Sequence, residues 1–356
     1  MRGERGRASI IAMILLAGVP GTALAAAYTF TPVDVPFAGV TETDANGVNN
    51  LGQIVGVYFD ASGGHAFLDS GGMVSTIVVP FAGATFPAAN GINNAGFIVG
   101  KYSDADGLHG FVGSGGNFNP IDVPFDGVTG TFASGINSAG KIVGHFFDNT
   151  GEHGFVEEGG SFSAIDVPFA GATATEAKGI NSASKIVGTY NDKNGTHGFL
   201  DTGGMFIPID VPFTGVLNTF AEGINDSGQI VGFYSVGTAI HGFLDSAGAF
   251  TAIDVPFADP GTSSAAGIND LGQIVGAYGK GGQGHGFLAD PAVVPEPASL
   301  LLLAFALTAF VVHRSLKLAE TLDFNVVDEI PATYRDQGPY CLNQTERPRP
   351  LQEAVG

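Results

Sequence analysis

The chain has no tryptophan and one cysteine, and only 13% of its 356 residues are charged. Cys341 has no partner within the chain, so an intrachain disulfide framework and a thiolate metal cluster are excluded. The missing tryptophan removes the widest platform for stacking a sugar ring and leaves that task to Tyr or Phe. Basic residues are the scarcest charged group. Residues 28–290 hold six Lys and no Arg against 25 Asp and Glu, and the whole chain carries a formal net charge of −20. Such a surface repels phosphate backbones, so nucleic acid is not an expected partner. Long apolar runs are also absent. Ala8–Val19 has 12 residues and Ala298–Val312 has 15, both short of the ~20 needed for an ordinary membrane span.

What is abundant is glycine (55) and phenylalanine (28), and both recur at a fixed step. A Gly-Ile-Asn or Gly-Val-Asn box begins at Gly47, Gly91, Gly135, Gly179, Gly223 and Gly267. A His-Gly-Phe or His-Ala-Phe box begins at His65, His109, His153, His197, His241 and His285. Both series, and the prolines of a Val-Pro-Phe box from Pro36 to Pro256, advance by 44 residues without insertion or deletion. A constant step of this size marks a repeat architecture.

Each unit reads as four short strands. In one copy they are Ala221–Asn225, Gln229–Tyr234 and His241–Leu244, with the fourth exemplified by Phe206–Val211. Turns rich in Asp, Asn and Gly separate them. Pro212, lacking an N–H donor, is expected to end pairing. The strands are apolar on both faces, as in a sheet sandwiched between neighbours. Four antiparallel strands in ~40–45 residues are the signature of one propeller blade, so the expected fold is an all-β, six-bladed β-propeller over residues 28–290. Tyr28–Pro36 matches the end of a unit, and the last copy stops after its third strand, His285–Ala289. The first segment should therefore supply the missing strand of the last blade, leaving no open edge.

The ends differ in character. Residues 1–25 read as a signal peptide, with Arg2, Arg5 and Arg7 before the apolar run and Ala23-Leu24-Ala25 at the cleavage point. Residues 291–314 read as an anchor segment: Pro291–Pro297 breaks the β pattern, Ala298–Val312 is expected to form a short apolar membrane anchor, and Arg314 and Lys317 place its C-terminal end in the cytoplasm. Residues 315–356 have no periodicity and are expected to be mostly disordered.

Two resemblances follow. The repeat, with His65-Ala66-Phe67 and its five His-Gly-Phe counterparts, resembles the HAF-repeat family of extracellular bacterial proteins. Val294-Pro295-Glu296-Pro297, with the apolar run and Arg314 behind it, resembles a PEP-CTERM sorting signal. The second resemblance implies export by a Gram-negative bacterium, transient inner-membrane anchoring, processing by an exosortase-type enzyme, and a role in exopolysaccharide or biofilm matrix. The chain departs from that pattern in continuing for 42 residues beyond Arg314. The HAF family carries no established catalytic residues, so none is transferred.

Among residues that could do chemistry, the six histidines come first, because imidazole binds zinc and copper well. A metal needs one site, whereas a scaffold needs the same joint six times; they are read as structural, each bonding backbone or a polar neighbour between blades. Asp34, Asp122, Asp166, Asp210 and Asp254 also recur, with Val78 in the second place, and read as turn or strand-end acceptors. Asp104-Ala105-Asp106-Gly107 resembles part of a calcium loop but lacks the distal bidentate Glu; calcium is the one cation admitted here, and otherwise neither cofactor nor metal is expected. The leading functional expectation is a non-enzymatic, surface-associated scaffold in adhesion or exopolysaccharide matrix, because no unit carries the inserted loop from which sites are usually built. The alternative is a carbohydrate-processing or ligand-binding propeller with a site at a channel mouth. It requires an asymmetric cluster, for which His145, the one repeat-region histidine off the ladder, is the candidate.

Overall fold

A computed structural model describes residues 28–292. Among them there are 24 strands and no helix. The expected signal peptide, the Val294–Pro297 motif, the anchor run Ala298–Val312 and the tail 315–356 lie outside the described residues.

The strands pair as six antiparallel groups of four, which parallel bridges join into sheets of eight, twelve and four strands. In the first unit Glu42–Val48, Gln53–Asp60, Gly63–Ser70 and Met73–Ile77 pair in that order. The first strands of units two to six are Thr85–Ile92, Gly130–Ile136, Ala174–Ile180, Asn218–Ile224 and Ser263–Ile268. Unit six has only two further strands in sequence, Ile274–Lys280 and Gln283–Pro291. Its fourth is Tyr28–Val33, antiparallel to the third in a register running from Tyr28↔Pro291 to Val33↔Gly286. Closure is therefore as the complementary ends of the repeat require, although Pro291 still belongs to the sheet and does not begin the break.

The fourth strand also ends earlier than expected. In unit four it stops at Ile209, so Pro212 is not what ends pairing. The chain has already turned inward: Val211 is 4% exposed, and its N–H donates to Thr219 Oγ1 of the next unit at 3.1 Å. The same bond runs from Val35, Val123, Val167 and Val255 to Thr43, Thr131, Thr175 and Ser263. The Val-Pro-Phe box is thus a link between units.

The six first strands touch one another in a closed cycle, which makes them the inner wall of a ring. Glycine permits that approach. A Cβ on Gly135 would lie 2.7 Å from the Lys178 carbonyl oxygen and 3.3 Å from the Gly179 Cα of the next unit. Between neighbouring sheets lie six apolar clusters. Each contains one phenylalanine of the His-x-Phe box, from Phe67 to Phe287, with no exposed surface. Burying such a ring contributes ~1.5–3 kcal/mol, and the sandwiching explains why the strands are apolar on both faces.

One irregularity recurs in every unit. The pairing of first and second strands slips by one residue between the Ala and the Gly of the Ala-x-Gly box, as between Ala133 and Gly135. The x residue occupies a β-bulge, which removes it from the ladder and re-aims its side chain. Across the units x is Asn46, Asn90, Ser134, Lys178, Glu222 and Ala266.

Candidate functional site

The axis of the ring has two unlike ends. Where the inner strands finish, Asn49, Asn93, Asn137, Asn181, Asn225 and Asn269 form a closed circle. Each side-chain amide donates to the backbone carbonyl of the next asparagine at 3.0–3.1 Å, the last reaching from Asn269 to Asn49. The side-chain oxygen meanwhile accepts turn N–H groups, as Asn137 does from Ala139 and Lys141 at 3.0 Å. Asparagine supplies donor and acceptor on separate atoms, and aspartate would lack the donor. The six are at most 6% exposed, and the space they surround is only 80 Å³.

Three residues before these asparagines, the six bulge residues surround the axis and are of five different kinds. Asn46 and Asn90 still reach the next unit, donating to Ala89 O at 3.0 Å and Ala133 O at 2.9 Å. Ser134, Lys178, Glu222 and Ala266 do not make that bond, and beside them a cavity of 360 Å³ opens. His145, Glu176, Lys101 and Phe132 complete its wall, and Glu152 stands beside His145.

His145 enters from the second strand of unit three, directly across from Phe132 on the first. Its ring stacks on Phe132 at 4.4 Å and meets Phe147 edge-on at 5.7 Å. It is 7% exposed, and its Nδ1 is buried without a hydrogen-bond partner. Nε2 lies 3.6 Å from Glu152 Oε1 and Nδ1 lies 3.9 Å from Glu176 Oε2, both beyond hydrogen-bond range. Burial, together with the charges of Lys178 and Lys101, holds the imidazole down at about 2, so it is neutral. Burial and the neighbouring Glu176 carboxylate push Glu152 up to about 7, against the pull of Lys178.

Lys178 pairs with Glu176. Burial works against its charge, but Glu222 and Glu176 outweigh that and leave its pKa raised. Burial likewise raises Glu222, against the attraction of Lys178. Lys141 and Lys178 have carboxylate partners, whereas Lys101 sits over the Phe132 ring at 4.7 Å. Burial and Lys178 lower its pKa.

The histidine ladder is elsewhere. Each of the six stacks on an aromatic ring of the adjacent strand at 5.0–5.3 Å. His109 Nδ1 meets Asp122 at 2.8 Å and its Nε2 meets Asp104 at 3.1 Å. His153 and His197 repeat the Nδ1 bond with Asp166 and Asp210. His241 and His285 do so with Asp254 and Asp34. His65 faces Val78 instead and keeps only Asp60 and Ser62. Both aspartates lie in the histidine's own sheet, so the expected joint between blades is a clasp within one blade. Hairpin pairing explains this, since it folds the residues five before and thirteen after His109, His153 and His197 back onto them, and Tyr28–Val33 brings Asp34 to His285. Asp104 accepts from the Asp106 N–H at 2.8 Å, which makes the calcium-like fragment an Asx turn.

Sequence reading found His145 but not its surroundings. Glu152 lies on the adjacent strand and Glu176 in the next unit. The visible signal was the columns in which the six units disagree. The positions of His145, Glu176 and Lys178 are occupied in the other units by residues as unlike as Phe, Ala, Asp and Ser, and all three columns converge on this cavity.

No family model matches the chain, and no curated protein is similar to it in sequence. Three solved structures similar to it can be named. TolB from Acinetobacter baumannii is 13% identical at TM-score 0.46, covering 67% of this chain and 63% of that one. Trypanosoma rangeli sialidase is 9% identical at TM-score 0.44, covering 79% and 60%. The PQQ-bound aldose sugar dehydrogenase from Streptomyces coelicolor is 10% identical at TM-score 0.41, covering 74% and 98%. The chain thus spans less than two thirds of the first two. The expectation of a non-enzymatic protein is corrected here: a sialidase and a sugar dehydrogenase stand among these structures. Its ground was uniform unit length, and the cavity shows that asymmetry enters by substitution without any change of length. The chain is an all-β protein whose structural neighbours are of β-propeller type.

Proposed function

We propose that this protein is an exported, surface-associated six-bladed β-propeller that engages carbohydrate in the cavity at the variable end of its axis. The observation carrying the reading is the convergence of the three variable columns, where a repeat otherwise constant brings together His145, Glu176 and Lys178. The cavity is of small-molecule size. Its wall offers ammonium, carboxylate, amide and hydroxyl groups side by side, the mixture that a polyhydroxylated ligand can satisfy. Lys101, held over Phe132, suits an acidic substituent such as a uronic carboxylate. The terminal segments support the same setting: export through residues 1–25, anchoring by Ala298–Val312, and cleavage near Pro297 by an exosortase-type enzyme within an exopolysaccharide system.

Calorimetric titration of the protein with acidic and neutral oligosaccharides tests this. Binding of an acidic oligosaccharide, weakened at least about tenfold, or roughly 1.4 kcal/mol, by Lys101→Ala, is the expected result. Absence of binding by every oligosaccharide, or binding indifferent to both Lys101→Ala and Lys178→Ala, overturns the reading.

A further inference from the structure

We infer that His145, Glu152 and Glu176 form a binding site for one divalent transition-metal ion of the zinc type, at the wall of the same cavity. This deepens the carbohydrate reading but is tested independently of it.

Three observations carry the inference. The three side chains each offer one ligand atom, and these atoms lie within 4.8 Å of one another; among the described residues this is the group of three that so converges. Two ligands at ~2.0–2.1 Å from a tetrahedral zinc stand about 3.3 Å apart. An ion takes one ring nitrogen, and Nδ1 stands 3.9 Å from Glu176 Oε2, too long for a hydrogen bond and close to that spacing; the 3.6 Å contact of Glu152 is to the other nitrogen, and Glu152 joins the set through the 4.8 Å convergence. Second, the imidazole is more than nine-tenths buried, and its Nδ1 has no partner. An orphaned buried polar atom costs ~1–3 kcal/mol, and a neutral imidazole nitrogen is a ready metal donor. Phe132 and Phe147 fix the ring, so little ordering remains for an ion to impose.

Third, the set occurs once. The positions of His145 hold Val57, Lys101, Thr189, Phe233 and Ala277 in the other units, and those of Glu152 hold Gly, Leu, Thr or Ile. A constellation drawn from two adjacent units and absent from the rest is not a joint of the ring. The competing cation is Lys178, which pairs with Glu176. Glu222 gives it a second carboxylate, so Glu176 can turn to an ion without stranding the ammonium. One imidazole and two carboxylates suit zinc and its neighbours. They fall well short of the six to eight oxygens that calcium takes. His145 and Glu176 line the cavity.

The test uses the chelator-stripped protein and Zn²⁺ alone, followed by calorimetry and metal analysis, with the visible spectrum of a Co²⁺ titration as a second readout. One equivalent should bind. His145→Ala should abolish it, and Glu176→Gln and Glu152→Gln should each weaken it at least tenfold. His197→Ala, in the ladder, should leave it unchanged. Circular dichroism melting establishes that each variant is folded, and Glu152→Gln, which is isosteric, serves if His145→Ala is not. Binding of no ion at one equivalent, binding retained in folded His145→Ala, or binding lost in His197→Ala overturns the inference. Where no ion binds, oligosaccharide binding that survives chelator leaves the carbohydrate reading standing.

Discussion

The two ends of the axis are built from the same short box and have opposite properties. Asn137 and its five equivalents are identical because each must give a donor to the next unit and an acceptor to its own turn. Four residues earlier along the inner strand, Phe132, Ala133 and Ser134 in unit three correspond to Glu176, Ala177 and Lys178 in unit four. The alanine is fixed by packing, at 0% exposure in both units. Its two neighbours are not, because the bulge has taken one out of the ladder. Identity along a repeat therefore reports where units hold one another, and disagreement reports where the ring is at liberty to do something else.

The comparison can be broken outright. Deleting residues 28–36 removes the fourth strand of unit six, together with Asp34 and the Val35 link. Both ends should collapse, since neither circle closes without the other five units, and the cooperative thermal transition should be lost to aggregation. A melting curve matching the intact protein would show that the ring does not depend on this strand.

A gentler break separates the ends. Asn137→Ala forfeits one inter-unit bond and two turn bonds in a buried place, so a loss of ~1–3 kcal/mol is expected in urea unfolding. Ser134→Ala, three residues away in the variable column, should stay within about 0.5 kcal/mol, because Ala266 already occupies that column in unit six. Equal effects would erase the distinction between the ends.

The histidine clasps, which belong to neither end, give a pH signature. Burial disfavours charge on His109, but its bonds to Asp122 and Asp104 outweigh that and raise the imidazole above its ordinary value. His197 is raised in the same way by Asp210 and Asp192. A raised folded value means the contribution is fully present below the unfolded value of ~6.5 and fades as pH rises through the folded one. His197→Ala should therefore cost more stability at pH ~6 than at pH ~8, by an amount kept near 1 kcal/mol by the exposure of Asp210. Chemical denaturation at the two pH values reads it; a larger loss on the alkaline side would contradict the sign.

The smallest effect sharpens the comparison. Ser134→Asn should recreate the bond that Asn46 makes to Ala89 and Asn90 makes to Ala133. A gain of ~0.5–1 kcal/mol in urea unfolding is expected. No gain would mean that the serine column is held by something other than the cavity.

The sequence made the ring legible because every joint is a constant at a constant step: the Gly of close approach, the Asn of the circle, the buried Phe, and Tyr28–Val33 as the completing strand. The cavity was hidden for the complementary reason. His145, Glu152 and Glu176 share no motif, and a β-bulge, which leaves no mark in unit length, decides that the residue after Ala177 faces the axis. The histidine ladder misled in a third way, because the step of 44 suggested contacts from unit to unit while the hairpins placed Asp104 and Asp122 beside His109 within one sheet.

The closing strand also imposes an order in time. A ribosome makes Tyr28–Val33 before the rest of the ring and its partner Gln283–Pro291 after all of it. Five sheets can assemble as they emerge, but the sixth waits for the final turn of the chain, with its earliest strand exposed throughout. Contacts spanning nearly the whole domain are slow to form, and the waiting edge is the segment most in need of protection. The ring is thus completed all at once, by its first and last strands meeting.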